Sequence, residues 1–308
     1  VTALQRPEAG PGRRVVRIGT HNVNGIRAAL RRGFHGFWSK ANADVVALQE
    51  VRCRVADLPA GAFGAYHATL DTGHLAGRNG VAVLTRTPPA RVRSLTDTVV
   101  SVDAAGATER PAERIVNRDL APFATEGRYV EVDLADAPLR VASLYLPKGA
   151  AWPYEEGTEE KYLRKMRFMK GLARHLTSSR RDAAADGREF LVMGDFNIAH
   201  SKLDLRNWRS NQKSEGFLPE EREWFGSVLG PRRMVDVVRD LHPETDGPYT
   251  WWSWRGQAFT NDSGWRIDYH LASPGLARAA VSGFVGREDS YEERISDHSP
   301  VVVDYAVA

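Results

Sequence analysis

Cysteine occurs once in the 308 residues, at Cys53, so no internal disulfide framework can staple this chain. With no C-x-x-C and no H-E-x-x-H run, and with scattered histidines, a zinc centre is also a poor fit. A lone thiol agrees with a reducing compartment, and a cytoplasmic location is expected. Long hydrophobic runs are missing too: no apolar stretch nears the roughly 20 residues that cross a bilayer. The N-terminus lacks the apolar segment of a signal peptide, and no membrane partner is expected. Net charge is small, +3 from 42 basic and 39 acidic residues. Any phosphate contact must therefore come from local clusters, not from a global field. Neither a G-x-S-x-G elbow nor a P-loop occurs, which counts against acyl transfer and nucleotide-driven chemistry.

Apolar residues make up 42%, enough for a large core. Residues 1–13 carry Pro, Gly and Ala without period and read as a flexible tail; 14–308 read as one domain of alternating strands and helices. Strands are expected at 14–23, 45–48, 66–70, 80–85 and 91–100, and residues 128–134 and 139–146 form a hairpin. Ile26, Leu30, Phe34 and Trp38 recur at helical spacing, with Arg27, Arg31 and Arg32 between them. The best helix shows Tyr162, Met166, Met169, Leu172 and Leu176 on one face. Lys161, Arg164, Lys165, Arg167 and Lys170 read as its solvated side. Pro219 with Glu220 and Glu221 marks another helix start. Residues 249–254, 265–273 and 301–307 read as further strands, while 104–125 shows no readable period.

The stretch from Phe190 to Asn197 organises the rest. Four apolar residues predict a strand buried on both faces, and Gly194 then allows a sharp turn. Asp195 and Asn197, two apart, share one side of an extended chain. Other strands also end in polar residues: Asn22, Glu50, Tyr145, Asp268, and the pair Asp297 and His298. Carboxylates at strand ends with open positions around them suit Mg²⁺, which keeps waters and takes phosphate oxygens. Asp268 lies in an otherwise apolar strand and needs a partner, for which His298 is the natural choice.

In order along the chain stand Thr-His-Asn-Val-Asn-Gly-Ile-Arg (20–27), Leu-Gln-Glu (48–50) and Gly-Asp-Phe-Asn (194–197). Gly-Phe-Leu-Pro-Glu-Glu-Arg-Glu-Trp (216–224), Gly-Trp-Arg-Ile-Asp (264–268) and Ser-Asp-His (296–298) follow. Together these resemble the exonuclease III family of abasic-site (AP) endonucleases, within the endonuclease/exonuclease/phosphatase superfamily. The resemblance implies an α/β fold, a four-layer sandwich of two packed mixed β-sheets flanked by helices. It implies that Glu50 is the main Mg²⁺ ligand, with Asn22, Asn24 and Asp297 nearby and Mn²⁺ able to substitute. Asp195 would orient or deprotonate the attacking water, and Asn197 would hold that water or a phosphate oxygen. His298, oriented by Asp268, would donate to the phosphate, and Tyr145 would contact it or steady the leaving oxygen. Trp251, Trp265 and Ile267 fall where the family builds a pocket for a flipped-out, base-less sugar. Arg27, Arg31 and Arg32 at the first helix are candidate contacts to DNA phosphates, and Lys148, past Pro147, is expected at the rim of the cleft, where its ammonium can meet a phosphate as a point charge.

The implied activity is Mg²⁺-dependent hydrolysis of the phosphodiester 5′ to an abasic site, leaving a 3′-hydroxyl and a 5′-deoxyribose phosphate. Trimming of 3′ ends, as exonuclease or phosphodiesterase/phosphatase, is a companion expectation. The partner is duplex DNA with abasic sites or blocked 3′ ends, met by a monomer at the bacterial nucleoid. Two alternatives stay open: another superfamily phosphodiesterase, acting on intact DNA, a lipid headgroup or an inositol phosphate, and a non-catalytic DNA-binding module. Two departures from the family pattern stand out, Lys148 in place of Asn or Gln and Asn24 where some members have Asp. Each bland reading also competes: eight tryptophans can be core, and helix arginines are most often a wet face.

Overall fold

The computed structural model describes residues 6–8, 10–75 and 77–307; residues 1–5 and 9 of the expected tail lie outside the described residues. Within that tail, Arg6 pairs with Asp44 at 2.9 Å. The chain opens with β1 (Arg14–Asn22), α1 (Ile26–Arg31), α2 (Phe34–Ala41) and β2 (Val45–Gln49). Six strands follow: β3 (His67–Asp71), β4 (Val81–Thr85), β5 (Arg91–Ser94), β6 (Thr98–Asp103), β7 (Gly106–Pro111) and β8 (Glu113–Arg114). Then come β9 (Tyr129–Asp133), β10 (Leu139–Tyr145), the long α3 (Glu159–Ala185), β11 (Glu189–Asp195) and α4 (Pro219–Val228). The C-terminal part adds β12 (Val235–Asp236), α5 (Val237–Leu241), β13 (Asp268–Ala272), α6 (Pro274–Arg278), β14 (Ala280–Val285) and β15 (Val301–Val307).

Among the described residues these strands form two mixed sheets, in the orders β14-β15-β1-β2-β4-β3-β6-β7 and β12-β13-β11-β10-β9-β5-β8. Each sheet has a parallel pair near its middle, β1 with β2 and β10 with β11. A parallel pair needs a crossover, supplied by α1 and α2 in one sheet and by α3 in the other. The apolar strands are double-faced for this reason. In β11, Leu191 and Met193 pack between the sheets, whereas Phe190 and Val192 pack outward under α3, and all four are fully buried. Phe168, Met169, Leu172 and Leu176 of α3 cover that outer face, each stabilising by roughly 1.5–3 kcal/mol. Phe34 and Trp38 of α2 cover the other sheet over Val46 and Leu48. The result is the expected four layers, helices–sheet–sheet–helices. One end gathers the C-termini of the parallel strands, where Asn22, Glu50, Tyr145 and Asp195 emerge.

Several local expectations are corrected. The single helical period over Ile26–Trp38 breaks into two helices at Gly33, which adopts φ 102°. The run 91–100 is two strands in different sheets, β5 beside β9 and β6 beside β3. The chain crosses between layers at Leu95–Asp97, where Leu95 is buried in the outer core and Thr96 Oγ1 donates to Thr98 O. Residues 249–254 form no strand; Trp251 makes single bridges to Trp265 and to His298 instead of a ladder. Gly194 does not turn the chain. It sits inside β11 at φ 137°, where an added Cβ would come within 2.1 Å of Leu144 O. The turn comes at Asn197, φ 49°, so Asp195 and Asn197 are not on one extended segment.

Candidate active site

Two strand-end carboxylates face each other across the gap between the sheets. Glu50 follows β2 at φ 51°, and Asp195 ends β11. Asn22, fully buried at the end of β1, separates them: its Nδ2 donates to Glu50 Oε1 and to Asp195 Oδ2, each at 2.9 Å. Past the turn, the Asn197 backbone N–H donates to Asp195 Oδ1 at 2.8 Å. Its side-chain Nδ2 donates to Leu146 O at 2.9 Å and to Asp195 Oδ2 at 3.4 Å, which leaves Oδ1 as the acceptor offered to the cavity.

The third strand end adds a histidine. His298 Nδ1 lies 2.8 Å from Asp268 Oδ2, which also accepts from Thr250 Oγ1 at 2.6 Å. That leaves Nε2 directed at Asp195 Oδ2, 3.8 Å away. Burial opposes a charged imidazole, yet the carboxylates of Asp268, Asp195 and Asp297 outweigh it and push the His298 pKa up to about 10. Burial pushes Asp195 up to about 7, with Asp268 and Glu50 adding to it against the pull of His298. Asp297 is held below the usual carboxylate range although burial works the other way, because His298, Trp251 and Asn24 favour its charge. Tyr145 is driven well above the ordinary phenol value by burial and then by Glu50 and Asp195. It is therefore a neutral donor. An imidazolium, a phenol and a carboxylate that can take a proton share one cavity, a set suited to a group that is already anionic.

The cavity has a volume of about 240 Å³. Glu50, Tyr145, Asp195, Asn197, Asp297 and His298 line it. Trp251, Trp265 and Ile267 also line it, with the two indoles edge-to-face at 6.2 Å. Trp251 Nε1 donates to Asp297 Oδ2 at 3.2 Å, so one wall is tied to the polar side. Lys148 reaches the rim, where its ammonium lies 3.3 Å from Glu215 Oε1. Asn22 and Asp268 are buried behind this surface, while Arg27 and Arg31 are exposed on α1 and do not line it. Among the described residues, Glu50, Asp195 and His298 offer ligand atoms within 4.8 Å of one another, close enough to share a metal ion. Oxygen donors from two carboxylates fit a hard divalent cation, and Asn22 and Asp297 flank this group.

Residues 19–298 match the Endonuclease/Exonuclease/phosphatase family. The chain belongs to that family. It is 28% identical over 297 residues to exodeoxyribonuclease III of Haemophilus influenzae, covering 92% of this chain and 97% of the relative. It is 26% identical over 296 residues to the DNA-(apurinic or apyrimidinic site) endonuclease of Dictyostelium discoideum, covering 94% and 71%. A variant of the 3′ phosphatase NExo from Neisseria, solved bound to product DNA hairpin, superposes with a TM-score of 0.75 at 26% identity. That match covers 94% of this chain and 99% of the neighbour. The chain is accordingly a phosphodiesterase nuclease of the exonuclease III type. No helix among the described residues is long and apolar enough to cross a membrane.

Sequence reasoning missed three contributors to this family site. Arg52, at φ 49°, pairs with Glu50 and donates to Asn24 Oδ1 at 2.6 Å, while Asn24 Nδ2 donates to Asp297 Oδ1 at 2.7 Å. The adjacent Glu50 was the available signal, since an acid leaving a strand end attracts a nearby base. Gly216 backs Trp265, its Cβ position being 3.4 Å from the indole, and only its place at the head of the Phe-Leu-Pro-Glu-Glu run marked it. Lys165 is the clear correction. Assigned to the wet side of the long helix, it is fully buried, with Nζ 2.6 Å from Glu221 Oε1. Helical periodicity cannot reveal a buried cation, because α3 is covered by α4 and two loops on what looked like its polar flank.

Proposed function

We propose that this enzyme is an AP endonuclease: it hydrolyses the phosphodiester 5′ to an abasic site in duplex DNA, leaving a 3′-hydroxyl and a 5′-deoxyribose phosphate. The observation that carries this reading is that the apolar side chains of Trp251, Trp265 and Ile267 line the same cavity as Asp195 and His298. A base-less sugar suits that space, whereas a nucleotide must first lose its stacking and then bring its base along.

In this reading the attacking water sits between the Asp195 carboxylate and Asn197 Oδ1, and Asp195 takes its proton. His298, kept cationic by Asp268, holds a non-bridging phosphate oxygen. Tyr145 hydrogen-bonds the leaving 3′ oxygen: a bond from the water oxygen to phosphorus forms as the bond to that oxygen breaks, and the departing alkoxide takes a proton from solvent water to leave as the 3′-hydroxyl. Glu50 and Asp195, with Asn22 and Asp297 alongside, would hold Mg²⁺, or Mn²⁺ in its stead. When bound, such an ion neutralises phosphate charge and stabilises the departing oxygen. Arg27 and Arg31 would meet backbone phosphates outside the cavity, positioning the duplex without reading sequence.

The direct test is incision of a labelled abasic duplex beside an intact one, with Mg²⁺ and with chelator. Cutting of the abasic strand alone, lost in chelator and restored by Mg²⁺, is expected. Equal cutting of the intact duplex would point instead to a general phosphodiesterase. Trp265→Ala should erode the preference for abasic over intact duplex while sparing hydrolysis of ordinary 3′ ends. The indole matters only when a base-less sugar enters, so an unchanged preference would return Trp265 to a packing role.

A further inference from the structure

Lys165 and Glu221 form an ion pair with both side chains fully shielded from solvent. Such a pair gains little stability over well-packed apolar residues, so its presence calls for another explanation. The contacts beyond the pair supply one. Lys165 Nζ also donates to Asn197 O at 2.9 Å and to Lys148 O at 3.0 Å. Glu221 Oε2 accepts from the backbone N–H groups of Gly216 at 2.7 Å and Leu218 at 3.1 Å. Three segments that build the cavity thus meet on one pair: the segment after Tyr145, the Asn197 turn, and the Gly216 loop behind Trp265. The fit is close. Gly149, at φ 88°, would bring a Cβ within 2.7 Å of Lys165 Cδ, and one on Gly216 would lie 2.9 Å from Asn197 O.

We propose that Lys165 and Glu221 are positioning residues for hydrolysis, a buried clamp that fixes Asn197 and the rim loop against the Trp265 wall. The pair touches no substrate atom. It holds the turn whose Asn197 Oδ1 and backbone N–H serve the attacking water and Asp195, and it sets how far that turn stands from the pocket wall. Both ends of the clamp are backbone groups, so the clamp needs the ammonium and the carboxylate rather than any particular loop side chain. A small misplacement of such groups is costly, since a shift near 1 Å can lower rate by about 10²-fold.

The inference takes its substrate from the proposed AP endonuclease activity, and the experiment keeps the two apart. The double variant Lys165→Met/Glu221→Gln is neutral, keeps the lysine stem volume, and retains an acceptor for the Gly216 and Leu218 N–H groups. It removes only the charge and the donors to Asn197 O and Lys148 O. At a temperature where circular dichroism shows it folded, kcat on abasic duplex is expected to fall about 10–100-fold with KM within about threefold of wild type. Hydrogen exchange should show the amides of residues 216–218 still protected. A kcat within twofold of wild type would overturn the proposal and leave the pair structural. Should the double variant not fold, Lys165→Arg decides. It keeps the charge, but its fork cannot serve all three acceptors in the space closed by Gly149, so kcat should fall several-fold with folding intact. Unchanged kcat there overturns the proposal as well. Wild-type incision is measured in parallel. A wild type inert on abasic DNA refutes the AP endonuclease reading alone, and the kcat comparison then moves to bis(4-nitrophenyl) phosphate.

Discussion

Asp195→Asn is expected to lower kcat by at least ~10²–10⁴-fold, the range for loss of a general base, while an abasic duplex still binds. The replacement is isosteric, but an amide cannot accept the proton of an attacking water. It also meets the wrong partners. Asp195 receives donors on both oxygens, from the Asn197 backbone at 2.8 Å and from Asn22 Nδ2 at 2.9 Å. An introduced NH₂ must point at one of these donors, which loosens the Asn22 spacer between Asp195 and Glu50. His298→Ala should fall in the same range, because it removes the cation that would meet the phosphate. That variant also leaves the buried Asp268 without its cationic partner, with only Thr250 Oγ1 still donating to Oδ2, so its folding has to be checked first. Single-turnover incision gives the rate and anisotropy gives the affinity. Near-normal turnover with Asp195→Asn would take Asp195 out of the proton transfer.

The strand ends were legible for a physical reason. Strands buried on both faces are continuous apolar runs, and a polar residue directly after one marks where the chain leaves the core. Asp195 follows that rule after Phe190–Gly194 and Glu50 comes one residue past Val45–Leu48, and the two parallel pairs bring them to one end with Asn22 and Tyr145. The pairing of Asp268 with His298 was legible because a buried acid needs a partner. What stayed hidden depends on tertiary neighbours. Lys165 looked solvated because only α4 and the loops from other parts of the chain bury it. The division of residues 91–103 between two sheets is likewise invisible locally, since β5 and β6 differ in their partners and not in their alternation. Arg27 and Arg31 read as DNA contacts from sequence and lie exposed on α1, outside the cavity.

Asp204→Ala should cause the largest loss of stability among substitutions away from the catalytic groups. Asp204 is fully buried, and its Oδ1 receives Arg266 Nε at 2.6 Å and Arg239 Nη2 at 2.5 Å. Arg266 is itself fully buried and completes its fork on Asp236, at 3.0 and 2.7 Å. Removing the carboxylate leaves the fully buried Arg266 with Asp236 alone and takes the counter-charge from the partly exposed Arg239. Breaking a buried pair in this way destabilises by about 3–5 kcal/mol. At roughly 2–4 °C per kcal/mol for a large domain, the melting temperature should drop on the order of 10 °C. The pH dependence has a definite sign. Burial alone would raise the Asp204 pKa, yet Arg266 and Arg239 hold it down to about 2, below the ordinary 3.8. A carboxylate depressed on folding stabilises above its unfolded pKa and loses that contribution as pH falls through the folded value. The gap in melting temperature between wild type and Asp204→Asn should therefore be full at neutral pH and narrow between about pH 4 and pH 2. Because Arg266 lies between Trp265 and Ile267, the same variant should lose incision at lower temperature than wild type and retain it when kept cold. A melting gap that stayed constant down to pH 2 would mean the buried arginines draw their stability from Asp236 and packing, not from the Asp204 charge.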